Sequence, residues 1–205
     1  MISTRLILIR HGQMEWNRVE RFRGRADPAL TEVGVKQAQA MAERIARWRV
    51  SAVYSSPLRR ALETAYPIAK RFGLEVEILP GVIDIDYGEW QGLSMEEAET
   101  MDGVLYAKWR EKPQEVEFPC GESLDKVRER AVAVVSELIN KYQGQVVAVV
   151  SHKVVCQLLI LEVLKLDNSH FWQIAQDVCA LNLFEYRDGA ASALIINETC
   201  HVRHL

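Results

Sequence analysis

Two strand-forming stretches of this chain are continuously apolar. Residues 6–9 and 146–150 carry no polar position, the pattern of strands covered on both faces, as in a parallel sheet. They predict buried strands over 5–9 and 146–150. Residues 31–48 instead place Val35, Ala38, Ala42 and Ile45 at helical spacing, with Thr31 as N-cap. A short strand follows over 51–56. Ser56 then precedes Pro57, the order expected of an N-cap and a first-turn proline, so a helix is predicted over 57–72, ending near Gly73. Residues 74–79 alternate and read as a strand with one wet face. Amphipathic spacing marks a helix over 122–142 and another follows over 153–165. Residues 179–197 read as an antiparallel pair turning at Asp188-Gly189. Between 81 and 121 the pattern breaks into irregular or interrupted helix rich in Gly, Glu and Trp.

This order predicts an α/β fold: a layered α/β/α domain with a mixed, mostly parallel sheet and a small helical or irregular insertion. A length of 205 residues suits one domain over 1–205, with the lid-like insertion at about 81–121.

Composition narrows the function. Hydrophobic residues make up 49%, charged residues 26%, and net charge is −3. Nothing in that balance asks for nucleic acid or a membrane surface. The N-terminal apolar run is four residues long and lacks a small-residue cleavage site, and no run approaches a membrane span, so a cytoplasmic setting is expected. Cys120, Cys156, Cys179 and Cys200 form no CxxC or CxxH pair, and are expected to be reduced thiols, mostly packed. No metal spacing is present.

The chemistry sits where the apolar runs stop. One ends at Arg10-His11-Gly12, the other at Ser151-His152-Lys153. Ligands of open α/β sheets lie beyond the carboxyl ends of the strands, so both histidines point to one crevice. Arg59 and Arg60 follow the carboxyl end of the strand at 51–56. Positive charge at a helix start opposes the helix dipole; dipole and guanidinium together favour an anion, and arginine's planar fork suits phosphate.

The ordered blocks LIRHGQMEWN, RFRGRADPALTEVGVKQA, YSSPLRRALETA, DIDYGEWQGL, FPCGESL and VVSHKVV resemble the histidine phosphatase superfamily, the phosphoglycerate mutase-like group with an Arg-His-Gly motif. The resemblance covers nearly the whole chain. It implies a phosphoglycerate mutase-like fold and His11 as a nucleophile that becomes a phosphohistidine. It implies phosphate-stabilising roles for Arg10, Arg60 and His152, with Arg59 a solvated neighbour, and a reaction that needs no cofactor or metal. The family's acidic residue stands four positions before the glycine of a Tyr-Gly pair; that position is Asp84, where many relatives carry glutamate, with Asp86 and Glu89 as alternative carboxylates. Asn17, Arg23 and Gly24 match substrate-lining positions, and Gly24 would let backbone approach the ligand. Trp16 reads as packing and Glu122-Ser123 as helix-start residues. Two further departures from the family are Met14, often Thr or Ser, and Lys153, usually Gly. Lys153 either extends to solvent or reaches an acidic part of the substrate.

The implied activity is a metal-independent phosphatase of small phosphorylated metabolites, with phosphoserine or another carboxylate-bearing ester as candidate substrate. The resemblance also admits a cofactor-dependent phosphoglycerate mutase, against which the short segment 93–121 lacks paired arginines. It admits a weakly active phosphate-binding protein, and a homodimer.

Overall fold

The computed structural model describes residues 3–17 and 21–205. Six strands form one sheet in the order β3-β2-β4-β1-β5-β6: β1 Thr4–Arg10, β2 Val50–Ser55, β3 Val76–Ile78, β4 Val146–Ser151, β5 Leu181–Arg187 and β6 Ala190–Glu198. The first four pair in parallel; β5 runs antiparallel to β1 and to β6. The sheet is therefore mixed, as expected. The continuous runs become its centre, because β1 and β4 are fully covered from Leu6 to Ile9 and from Val147 to Val150. The β5–β6 hairpin turns at Asp188 and Gly189, both with positive φ, as a type I′ turn requires.

The helices are α1 Glu32–Ile45, α2 Arg59–Phe72, α3 Met95–Met101, α4 Gly103–Glu111, α5 Leu124–Lys141 and α6 Lys153–Leu164. Two apolar clusters, one on each face of the sheet, complete the layers: α1 and α2 pack on one, α5 and α6 on the other.

Three expectations change. Thr31 caps α1 by accepting from the Gly34 N–H, but Val35 is 44% exposed, and Gly34, Gln37 and Met41 join Ala38, Ala42 and Ile45 inside. The stripe shifts because Gly34 packs on the loop after β1: a Cβ there would lie 2.1 Å from the Gln13 carbonyl oxygen. α2 starts at Arg59, with Leu58 as an N-cap lacking a side-chain bond; the Ser56 hydroxyl accepts from the Leu58 N–H, just ahead of the helix. β3 is only three residues, because it is an edge strand paired to β2 alone.

The segment 81–121 is helical in part and firmly packed. Tyr87, Trp90, Trp109 and Phe118 are buried. They meet Phe22 and Phe171 through mostly edge-to-face ring contacts with centroids 4.9–6.3 Å apart, an arrangement favoured by the ring quadrupole. This aromatic body forms a wall over the carboxyl ends of β1 and β4.

Candidate active site

Strand register assembles the site. Arg10 pairs with Ser151 across β1 and β4, and Ser55 pairs with Val150 across β2 and β4. The next residues in each strand are therefore neighbours: His11, Ser56 and His152. The His11 and His152 rings lie 5.3 Å apart between centroids. The N-termini of α2 and α6 begin at the same edge, which adds positive electrostatic potential.

His11 is 2% exposed. Its Nδ1 lies 2.8 Å from the Gly12 carbonyl oxygen. A carbonyl only accepts, so Nδ1 carries the proton and Nε2 keeps its lone pair. Backbone bonds from His11 N to the Ser151 carbonyl and from Cys179 N to the His11 carbonyl fix the main chain. The Gly12 N–H donates to Thr64 Oγ1, which itself donates to the Arg60 carbonyl. Burial, then the Arg60 and Arg10 charges, hold the imidazole well below its ordinary pKa of 6.5, so His11 is neutral at pH 7.

Arg60 is fully buried. Its Nη1 donates to the Ala26 carbonyl, and its Nη2 to the Gly24 carbonyl at 2.8 Å and to Asp84 Oδ2 at 3.0 Å. Asp84 also accepts from the Ile85 N–H. Burial raises the Asp84 pKa above its ordinary 3.8, and Arg60 opposes that rise. His152 Nδ1 is 3.7 Å from Asp84 Oδ2, and His152 Nε2 is 2.7 Å from Ser56 Oγ. Burial first, then Arg60 and His11, hold His152 neutral as well. The expected cluster of four basic groups thus carries its charge on arginines. Arg10 donates to the Gln176 carbonyl, and burial followed by Arg23 lowers its pKa to about 10. The Nε groups of Arg10 and Arg60 have no hydrogen-bond partner among the described residues.

A cavity of about 500 Å³ opens over these groups. Arg10, His11, Arg23, Asp84 and Lys153 line it; Arg60, His152 and Gly24 do not. Arg60 and His152 meet lining residues instead, Arg60 through its bond to Asp84 and His152 through its ring against His11. Gly24 has positive φ (46°), and what approaches it closely is protein, the Ile85 carbonyl oxygen. Asn17 closes a short turn, Glu15–Asn17, and its side chain is outside the described ones. Lys153 Nζ stands 5.9 Å from the Trp172 ring centroid. Met14 is buried in the core. Arg59 is exposed and pairs with Glu63, and Asp86 pairs with Arg25 while Glu89 faces solvent. Cys156 and Cys179 are packed, whereas Cys120 and Cys200 are exposed.

Several site residues gave no sequence signal. Ser56, which reads as a helix cap, contacts His152. Arg130, inside α5, donates to the carbonyls of Gly81, Ile83 and Asp84 and holds Glu122. Glu122, which reads as a cap, also accepts from the Asp86 N–H. Arg21, Arg110, Gln157 and Trp172 complete the cavity wall. Arg110 and Arg21 supply arginines at a rim expected to lack a pair. Among the described residues, no group of three or more His, Cys, Asp or Glu could hold a metal ion, and no helix is long and apolar enough to cross a membrane.

Known proteins are similar to this chain over most of its length. Phosphoserine phosphatase 1 of Hydrogenobacter thermophilus is 37% identical over 97% of this chain and 94% of its own length. A metal-independent phosphoserine phosphatase of Arabidopsis thaliana is 36% identical over 78% of this chain and 68% of its own. The solved structure of phosphoserine phosphatase from Entamoeba histolytica in complex with phosphoserine superposes with a TM-score of 0.87 at 28% identity, covering 97% of this chain and 98% of that one. The model of the histidine phosphatase superfamily (branch 1) matches residues 6–199. With two strand-end histidines and buried arginines around one cavity, the chain belongs to the histidine phosphatase superfamily.

Proposed function

We propose that the protein hydrolyses small phosphomonoesters through a phosphohistidine, with a carboxylate-bearing ester such as phosphoserine as substrate. The observation that carries this reading is a neutral histidine, its Nε2 lone pair available, beside two buried guanidinium groups whose Nε donors have no partner among the described residues. Such donors suit the equatorial oxygens of a transferring phosphoryl group, where positioning and charge stabilisation dominate catalysis.

In the first step His11 Nε2 bonds to phosphorus as the ester P–O bond breaks, and protonated Asp84 gives its proton to the leaving alkoxide. The positive charge that develops on the ring is stabilised by the Gly12 carbonyl at Nδ1. In the second step a water attacks phosphorus, the Asp84 carboxylate takes its proton, the N–P bond breaks and inorganic phosphate leaves. Arg10 and Arg60 neutralise the phosphoryl charge, with His152 donating to it when its ring tautomer allows. The charge is supplied by arginines, which supports metal-independent catalysis. Arg23 and Lys153, together with Asn17, form the substrate side, and Gly24 serves it only through its carbonyl bond to Arg60. This reading takes residues 1–205 as one domain whose 81–121 wall bounds the substrate, acting in the cytoplasm, and it admits a homodimer.

Hydrolysis of p-nitrophenyl phosphate after EDTA treatment, wild type beside His11→Ala, tests the reading. Activity that survives EDTA and disappears in the variant is expected; activity that persists in the variant rules out His11 as nucleophile. The rim arginines Arg21, Arg23 and Arg110 favour a second reading, retention of a bisphosphate by a phosphoglycerate mutase. Isomerisation of 3-phosphoglycerate faster than its hydrolysis identifies that activity.

A further inference from the structure

Gln157 sits one turn after Lys153 on α6, on the same side of the helix, and both line the catalytic cavity. It is 1% exposed. Its Nε2 donates to the Ile174 carbonyl at 2.7 Å and the Phe171 carbonyl at 3.3 Å. That arrangement fixes the amide, since a flipped side chain would turn its oxygen against two carbonyl oxygens. Oε1 is then left buried with no partner among the described residues. An orphaned buried acceptor is destabilising, and native structures rarely keep one without a use. The wall is rich in cationic donors: Arg10, Arg21, Arg23, Arg110 and Lys153. The Asp84 carboxylate is engaged by Arg60 and the Ile85 N–H, and His11 Nε2 is committed to phosphorus in the proposed chemistry, which leaves Gln157 Oε1 as an unpaired acceptor on a residue that lines this wall.

We propose that Gln157 determines substrate specificity by accepting a hydrogen bond from a donor on the non-phosphate part of the substrate, a hydroxyl or an ammonium group. The inference rests on the phosphomonoesterase reading and names a chemical requirement of its leaving group: an ester without a donor leaves Oε1 buried and unpaired. Sites built to hydrogen-bond a substrate group discriminate strongly against analogues lacking it.

The test compares kcat/KM for three esters: glycerol 1-phosphate offers hydroxyls, phosphoserine an ammonium, and propyl phosphate neither. Wild type is expected to prefer at least one donor-bearing ester over propyl phosphate. Gln157→Met, which removes the acceptor, is expected to reduce that preference by roughly ten- to a hundredfold. Gln157→Glu keeps an acceptor but loses the Nε2 donors to Phe171 and Ile174, and is expected to retain the preference even if all rates fall. The ester whose advantage disappears in Gln157→Met identifies the donor. A preference that survives in Gln157→Met, or that falls equally in Gln157→Glu, overturns the inference, because the second result traces the effect to the 171–174 backbone. Absence of any preference in wild type overturns it without recourse to a variant. A wild type that hydrolyses none of the three nor p-nitrophenyl phosphate overturns the phosphomonoesterase reading, and this inference with it.

Discussion

The floor and the rim of the cavity are built in opposite ways. Arg10 and His11 on the floor, and Arg60 and His152 behind them, are at most 5% exposed, and the main chain or a buried side chain clamps each of them. On the rim, Arg21, Arg110, Lys153 and Trp172 are partly or largely exposed and project from a short loop, α4, α6 and the turn at Asn168–Gln173. Donors fixed before the reaction cost no reorganisation in the transition state and act in low dielectric. Rim charges are screened by salt and bear mainly on ground-state binding. Floor substitutions should therefore act on kcat, and rim substitutions on KM.

The largest break is His11→Ala. Loss of a nucleophile removes the covalent path, and activity toward every ester should fall by ~10⁴-fold or more. A fall confined to some esters would mean that the floor is not common to them.

Asp84→Asn sharpens the comparison further. General-acid catalysis contributes roughly 10²–10⁴-fold. That loss should appear with alkyl esters, whose leaving groups need a proton, and should be much smaller with p-nitrophenyl phosphate. The pH profile follows from the two shifts. Burial raises the Asp84 pKa above 3.8, so hydrolysis of alkyl esters should decline as pH rises through that raised value and the acid is lost. Burial and the arginines depress the His11 pKa well below 6.5, so activity should persist below pH 6.5 and fall only where the imidazole protonates. In Asp84→Asn the alkaline decline should vanish and the acid limb remain; stopped assays from pH 4 to 9 separate the two limbs.

Arg130→Met probes how the floor is held. Arg130 does not itself line the cavity, yet it binds the carbonyls of Gly81, Ile83 and Asp84. Charge-assisted bonds of this kind are worth about 1.5–3 kcal/mol each when one partner is removed, and are not additive. The variant should lose ~2 kcal/mol of stability by urea unfolding, with kcat for alkyl esters down about tenfold as Asp84 drifts and KM little changed. Unchanged kcat would show that Asp84 is positioned by Arg60 alone.

This contrast also explains what could be read in the sequence. The floor was legible because it lies at the ends of continuous apolar runs: strand register converts Arg10-His11 and Ser151-His152 into neighbours, and the order of elements fixes the sheet. Ser56-Pro57 has the form of a helix start, and the Ser56 hydroxyl does accept from the Leu58 N–H at 3.3 Å, but its shorter contact is with His152 Nε2, which no local pattern encodes. Arg130 and Gln157 were invisible, since each sits within a helix and acts through contacts made only after α5 and α6 pack. The rim was least legible. Arg21 and Arg110 are 89 positions apart in the chain, and the aromatic packing of segment 81–121 brings them to one cavity, which no local period encodes.

Lys153→Ala should have the smallest effect and bears most directly on the rim. Lys153 follows the second histidine, stands over Trp172 and lines the cavity. An exposed charge that contacts a substrate carboxylate contributes on the order of 0.2–1 kcal/mol in water, somewhat more where the aromatic wall excludes solvent. KM for phosphoserine should rise about two- to tenfold, kcat should hold, and the KM difference between wild type and variant should shrink as salt is raised. For propyl phosphate, which has no carboxylate, KM should move less. A loss in kcat that is equal for both esters would instead place Lys153 with the floor. The charge would then act on the phosphoryl group through the first turn of α6, and the division between a catalytic floor and a binding rim would not hold at this residue.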